Sequence, residues 1–190
     1  MYEFDVFISY RRTASDITEW IRHHFHPRLS EVLDNNRYED AKIFFDDRMR
    51  TGSSWPGELR SVLQHSRVLV PVCSPKYFRD ELCLAEWYSM AEREALGTGP
   101  RRQLIYPVIF CDSKNFPGWA HERRMRDLQE WNHPFEHFQT APAYLDFNQE
   151  IKRIAGELED LIERAPEWRD DWPVRTPAPE PPKRARMPRF

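Results

Sequence analysis

Glu86 is the one charged side chain between Leu82 and Ala91, in the run "DELCLAEWYSMAE". An ionised carboxylate resists burial unless it is paired, so such a residue either reaches water at an edge or has chemical work to do. The rival chemistries fit the sequence poorly. "HPFEH", His133 to His137, matches a short metallopeptidase pattern, but Pro134 follows the first histidine and no helical period surrounds it, so no metal is expected. His23, His24 and His26 read as decoration of a helix end. Ser9 and Ser74 lack the strand-turn-helix setting of a nucleophile elbow, and the six glycines form neither a GxGxxG nor a Walker loop. Cys73, Cys83 and Cys111 are odd in number, far apart and in apolar surroundings, which suits reduced core thiols.

The elements that must hold Glu86 follow from short apolar runs alternating with segments of helical period. The runs are "DVFIS" (5 to 9), "KIFF" (42 to 45), "RVLVPV" (67 to 72), "LIYPVIF" (104 to 110) and "AYLDF" (143 to 147). Most are apolar without strict alternation, as in strands covered on both faces of a parallel sheet. Ile17, Trp20, Ile21 and Phe25 share a first helical face before Pro27 bends or ends it; Leu59, Val62 and Leu63 mark a second helix. A third helix contains Glu86. In the last, Asn148 is placed to cap a stripe of Ile151, Ile154, Ala155, Leu158, Leu161 and Ile162. Strand and helix alternating in this way predict right-handed crossovers and an open, doubly wound α/β sheet.

Composition sets the limits. The 190 residues fit one domain plus an appendage, and a net charge of -3, from 28 basic and 31 acidic residues, gives no global pull toward nucleic acid or an anionic membrane. No apolar run approaches the length of a membrane span, and Glu3 and Asp5 stand where a signal peptide would be basic; a cytoplasmic chain is expected. Residues 111 to 142 are too long for an ordinary connection and carry Phe116, Trp119, Trp131, Phe135 and Phe138, which predicts a partly helical flap or a local minicore. From 165 to 190, seven prolines and no period predict an extended tail, ending in Lys183, Arg184, Arg186 and Arg189.

In an open α/β sheet the ligand lies beyond the carboxyl ends of the strands, where strand order reverses. Those ends carry "SYRRT", "DDRMRTGSSWPG" and "SPKYFRDELCLAE", so Glu86 enters its helix from a strand end and can share a cleft with Arg11, Arg12 and the glycine-containing loop.

These segments also carry a family resemblance. "FDVFISY", "IFFDDRMRTGSSWPGELRSVLQHS" and "RVLVPVCSPKYFRDELCLAEW", in this order, resemble the first box, the second strand with its BB loop and helix, and the third strand of a TIR (Toll/interleukin-1 receptor) domain. The resemblance covers residues 3 to about 164 and sets a TIR domain at 1–164 apart from the tail. It implies a flavodoxin-like, five-stranded parallel sheet with helices on both faces, and, for the prokaryotic type, cleavage of NAD at the nicotinamide bond in antiviral defence or signalling. The glutamate of the family's WCxxE motif aligns with Glu86, the implied catalytic residue; the motif's tryptophan position is Leu82 here.

The resemblance further implies a substrate-binding set of Ser9, Tyr10, Arg11, Arg12, Asp46, Tyr77, Cys83 and Trp87, with NAD as substrate and no cofactor. Loss of nicotinamide leaves an oxocarbenium-like ribose, which a carboxylate stabilises. Guanidinium groups at Arg11 and Arg12 match a pyrophosphate. Water as acceptor gives ADP-ribose and an adenine nitrogen gives a cyclic product; the residues leave that choice open. Self-association is implied as well, with Arg48, Met49, Arg50, Gly52 and Trp55 as the assembly loop, and an effector or sensor protein as a further partner. The alternative is a non-catalytic adaptor working by assembly, in which Glu86 only caps its helix or pairs with Arg79 or Arg93.

Overall fold

Alternate residues of the two longest strands are buried on opposite sides, which explains why neither strand alternates in polarity. In β1 (Phe4–Ser9), Val6 and Ile8 face one hydrophobic cluster and Phe7 the other. In β3 (Ser66–Cys73), Val68, Val70 and Val72 join the first cluster while Leu69 and Cys73 join the second. The computed structural model describes residues 1–46, 57–97 and 103–177. With β2 (Ile43–Phe44), β4 (Val108–Ile109) and β5 (Arg126–Asp127) these strands form one parallel sheet in the order β2-β1-β3-β4-β5. This is the flavodoxin-like order, and its switch point lies between β1 and β3.

On the first face lie α1 (Ser15–Trp20), a π-helical turn (Ile21–Phe25), α2 (His26–Asn36) and α5 (Ala143–Glu163). Trp20, Phe25, Leu29 and Leu33 meet Phe147, Ile151, Ile154 and Leu158 there. On the second face lie α3 (Gly57–Gln64) and α4 (Glu81–Leu96). Pro27, expected to bend or end the first helix, does not end it: the chain stays helical to Asn36, and the wider π turn falls just before the residue that has no N–H to give.

Two expectations are corrected. The run 143–147 is not a strand but the start of α5, because Tyr144 and Phe147 continue the same helical stripe as Ile151 and Ile154. A short apolar run is compatible with either period. Asn148 accordingly lies inside that helix, where its side-chain oxygen accepts a hydrogen bond from Arg28 Nε at 2.7 Å. The fifth strand is instead the polar pair Arg126 and Asp127, placed by backbone bonds from Arg126 N to Pro107 O (2.9 Å) and from Leu128 N to Ile109 O (3.0 Å). The rest of 111–142 is mostly single 3₁₀ turns, which bury Phe116 on one face of the sheet and Phe138 on the other.

Residues 165–177 run extended across α3 and α4. Trp168 stacks on His65, Trp172 is buried beside Arg93, Val174 packs on the second cluster, and Arg175 N donates to Ser89 Oγ at 2.8 Å. The Arg175 guanidinium pairs with Glu92 and lies over Tyr88. The basic residues 183–189 lie outside the described residues.

Candidate functional site

Asp80 begins the construction. Its carboxylate accepts hydrogen bonds from Leu82 N (3.0 Å) and Cys83 N (3.2 Å), capping α4 and setting its rotational phase. Cys83, Glu86, Trp87, Met90 and Arg93 are then all buried along the helix. Glu86 has no exposed surface, although it is a carboxylate. It is held from β1 and the loop after it: Ser9 Oγ donates to Glu86 Oε2 at 2.5 Å, and Arg12 Nη2 donates to Oε1 at 2.8 Å. Tyr77 OH lies 2.8 Å from Ser9 Oγ. Tyr77 OH also donates to Cys83 O at 3.3 Å, so with the Ser9 proton on Glu86 the single Tyr77 proton is shared between Ser9 Oγ and Cys83 O.

Arg12 also reaches the end of β2, with Nε 3.4 Å from Asp46 Oδ2, and its guanidinium carbon lies 5.7 Å from the centre of the Tyr10 ring. Tyr10 OH donates to Asp46 O at 2.5 Å. Thus β1, β2 and α4 meet at one arginine whose side chain is 8% exposed. Burial raises the Glu86 pKa and outweighs the opposing pull of Arg12 and the Ser9 hydrogen bond. For Arg12, burial alone would lower the pKa, but attraction to Glu86 overrides it and the net direction is upward. Burial also lifts the Cys83 thiol and the Tyr77 phenol well above their ordinary values, so both stay neutral.

The structure therefore gathers Ser9, Tyr10, Arg12, Asp46, Tyr77 and Cys83 around Glu86, and separates two others. Arg11 is half-exposed and lies 4.0 Å from Asp80, the cap of α4, rather than on Glu86. Trp87 belongs to an aromatic cluster with Tyr77, Phe78 and Trp119, beneath the Arg123 guanidinium. Glu86 pairs with neither Arg79 nor Arg93. Arg48, Met49, Arg50, Gly52 and Trp55 lie outside the described residues. Asp80 was missed as a positioning residue, although an aspartate directly before a helical run is a readable cap signal.

Chemically, a buried carboxylate flanked by a hydroxyl and a guanidinium can hold sugar hydroxyls and stabilise a developing positive charge. Here that charge is met within the protein, by Arg12 on Oε1 and Ser9 on Oε2. Among the described residues no cluster of three or more His, Cys, Asp or Glu side chains could hold a metal ion. No helix among them is long and apolar enough to cross a membrane.

No curated protein matches the chain. Solved structures with a similar fold include the TIR domain of the Toll-related receptor TRR-2 from the lower metazoan Hydra magnipapillata, at 16% identity and a TM-score of 0.48, covering 78% of this chain and 98% of that one. A second is the TIR domains of the activated Roq1 resistosome, which directly recognises the pathogen effector XopQ, at 20% identity and a TM-score of 0.41, covering 86% of each chain. The family model described as TIR domain matches residues 6–141, most of the 190, and the chain belongs to that family.

Proposed function

We propose that this TIR domain cleaves NAD at the bond between nicotinamide and ribose, serving prokaryotic antiviral defence or signalling. The observation that carries the reading is Glu86, a fully buried carboxylate held by a hydroxyl and a guanidinium at the carboxyl end of β1. As the bond between ribose and the pyridinium nitrogen breaks, its electron pair leaves with nicotinamide, which becomes neutral, and positive charge develops on the ribose. Glu86 lies opposite that charge and accepts hydrogen bonds from the ribose hydroxyls. Water then bonds to the anomeric carbon and loses a proton to solvent, giving ADP-ribose; attack by an adenine nitrogen gives the cyclic product instead.

Arg12 must release Glu86 for this to happen, and the pyrophosphate of the substrate is the anion that can take it over. The Glu86 carboxylate, with both oxygens hydrogen-bonded within the protein, also supports the adaptor reading, in which the Glu86–Arg12 pair is a static structural link and the domain acts by assembly alone. Incubating purified protein with NAD and separating the products decides between them. Nicotinamide release that vanishes in a folded Glu86→Gln variant supports cleavage. Absence of release at every protein concentration, or wild-type release by that variant, rejects it.

A further inference from the structure

The two consecutive arginines part company at the end of β1, and the side that Arg11 faces holds an unassigned crevice. It has a volume of about 490 Å³ and lies outside the carboxyl ends of β1, β3 and β4. It adjoins the switch point between β1 and β3, where helices leave for opposite faces of the sheet. Open α/β sheets bind ligands in such crevices. The volume is within the ~300–1,000 Å³ of small-molecule sites.

The geometry points to this crevice as a binding site for a nucleoside phosphate, lined by none of the residues that hydrogen-bond Glu86. Arg11, whose Nε is 4.0 Å from Asp80 Oδ2 and is the weaker-held of the two arginines after β1, and Lys76 supply two cations, and Lys76 makes no ion pair among the described residues. Ser74 adds a hydroxyl whose oxygen already accepts from Tyr77 N at 3.2 Å, which leaves its proton to donate. Ile17, Pro75 and Phe110 make an apolar floor suited to a flat base. Asp16, on the same wall as Arg11, is an acid that repels a bare phosphate but can accept hydrogen bonds from ribose hydroxyls, so the lining favours a nucleotide over a simple anion. The cleft between β5 and α5 is slightly larger, at about 510 Å³, but there Arg126 is already paired with Glu150 at 3.3 Å and with Glu157.

This inference rests on the crevice and not on the cleavage reading, so its test needs no turnover. The full chain carrying Glu86→Gln is titrated with ADP by calorimetry, and the rate of Cys111 alkylation is followed by mass spectrometry. Cys111 lines the crevice and is half-buried, while Cys73 and Cys83 are fully buried. ADP is expected to bind and to protect Cys111; Lys76→Glu is expected to weaken binding on the order of tenfold or more, through a lost charge-assisted contact. Thr13→Trp, which fills the mouth, is expected to weaken it too. Failure of ADP to bind, or binding indifferent to both substitutions, overturns the site. Competition with NAD assigns the source: displacement of NAD by ADP means that the crevice takes the ADP half of the dinucleotide, whereas simultaneous binding means a separate nucleotide. Bound ADP together with no nicotinamide release by the wild-type chain leaves the crevice standing and removes the cleavage reading.

Discussion

Glu86 and Arg93 lie seven residues apart on α4, both buried, and they are solved in opposite ways. Glu86 meets mobile partners at the carboxyl end of β1: a hydroxyl and a guanidinium that is itself shared with Asp46. Arg93 meets fixed ones at the other end of the sheet. Its Nη2 donates to Leu63 O at 2.9 Å and its Nη1 to Ser66 O at 3.3 Å, and the Trp172 ring lies 5.9 Å from its guanidinium carbon. Among the described residues Arg93 has no carboxylate partner, and burial pulls its pKa down. Carbonyls at the end of α3 and the start of β3, with an aromatic face, are partners that an incoming ligand cannot exchange, which suits a structural charge. A side-chain ion pair beside a cleft can be exchanged, which suits a working one.

The sharpest contrast is between Glu86→Gln and Arg93→Ala. Glu86→Gln is expected to lower NAD cleavage on the order of 10²–10³-fold by removing the charge opposite the ribose. Its melting temperature should move little, because the amide oxygen can still accept from Arg12 while its NH2 donates to Ser9 Oγ, and Arg12 stays 3.4 Å from Asp46. Arg93→Ala should do the reverse: a loss of about 3 kcal/mol from a cavity and an uncapped α3, with turnover per folded molecule changed less than about threefold. Denaturant melts and NAD assays on both variants check this. A catalytic loss in Arg93→Ala as deep as in Glu86→Gln would break the comparison.

Truncation after Arg164 tests what covers Arg93. From composition alone the tail contributes little to the core, but Trp172 is buried and Trp168 and Val174 are packed. Removing them is expected to cost about 2–4 kcal/mol of stability in the folded domain, read by thermal or urea unfolding. No measurable change would show that Arg93 is satisfied by the α3 carbonyls alone.

The pH response should distinguish the two charges more finely. In the proposed cleavage Glu86 acts in its ionised form, and its pKa is held above the ordinary 4.5, so the acid limb of the rate profile should lie above that pH. Arg12→Met, which removes the cation that lowers the Glu86 pKa, should move the limb further up. For stability the sign is opposite: a carboxylate raised by burial contributes fully below its unfolded pKa and loses that contribution as pH rises through the folded one. Glu86→Gln should therefore gain stability relative to the parent as pH rises, and Arg93→Ala should not.

The smallest expected effect concerns assembly. If residues 46–57 bring copies together, specific activity should rise faster than linearly with protein concentration, and Arg50→Glu or Trp55→Ala should flatten the rise without unfolding the domain. Full, concentration-independent activity of a monomer would reject assembly as the switch.

The sheet class, and the conflict posed by a carboxylate at position 86, were readable from the order of residues alone. Apolar strands and a 3.6-residue stripe are local patterns, and a lone carboxylate in an apolar run is an energetic anomaly legible without coordinates. The polar strand Arg126–Asp127 was invisible, because its place comes from backbone bonds to Pro107 and Ile109 rather than from side-chain burial. Which partner Glu86 takes was equally undecided: Arg79 and Arg93 are near in sequence, yet Arg12, 74 positions away, holds it. The different carboxylates met by Arg11 and Arg12, and the burial of Trp172 in a proline-rich tail, likewise belong to the tertiary structure. Each depends on contacts between segments far apart in the chain, where satisfying a buried charge or ring decides the conformation and local propensity does not.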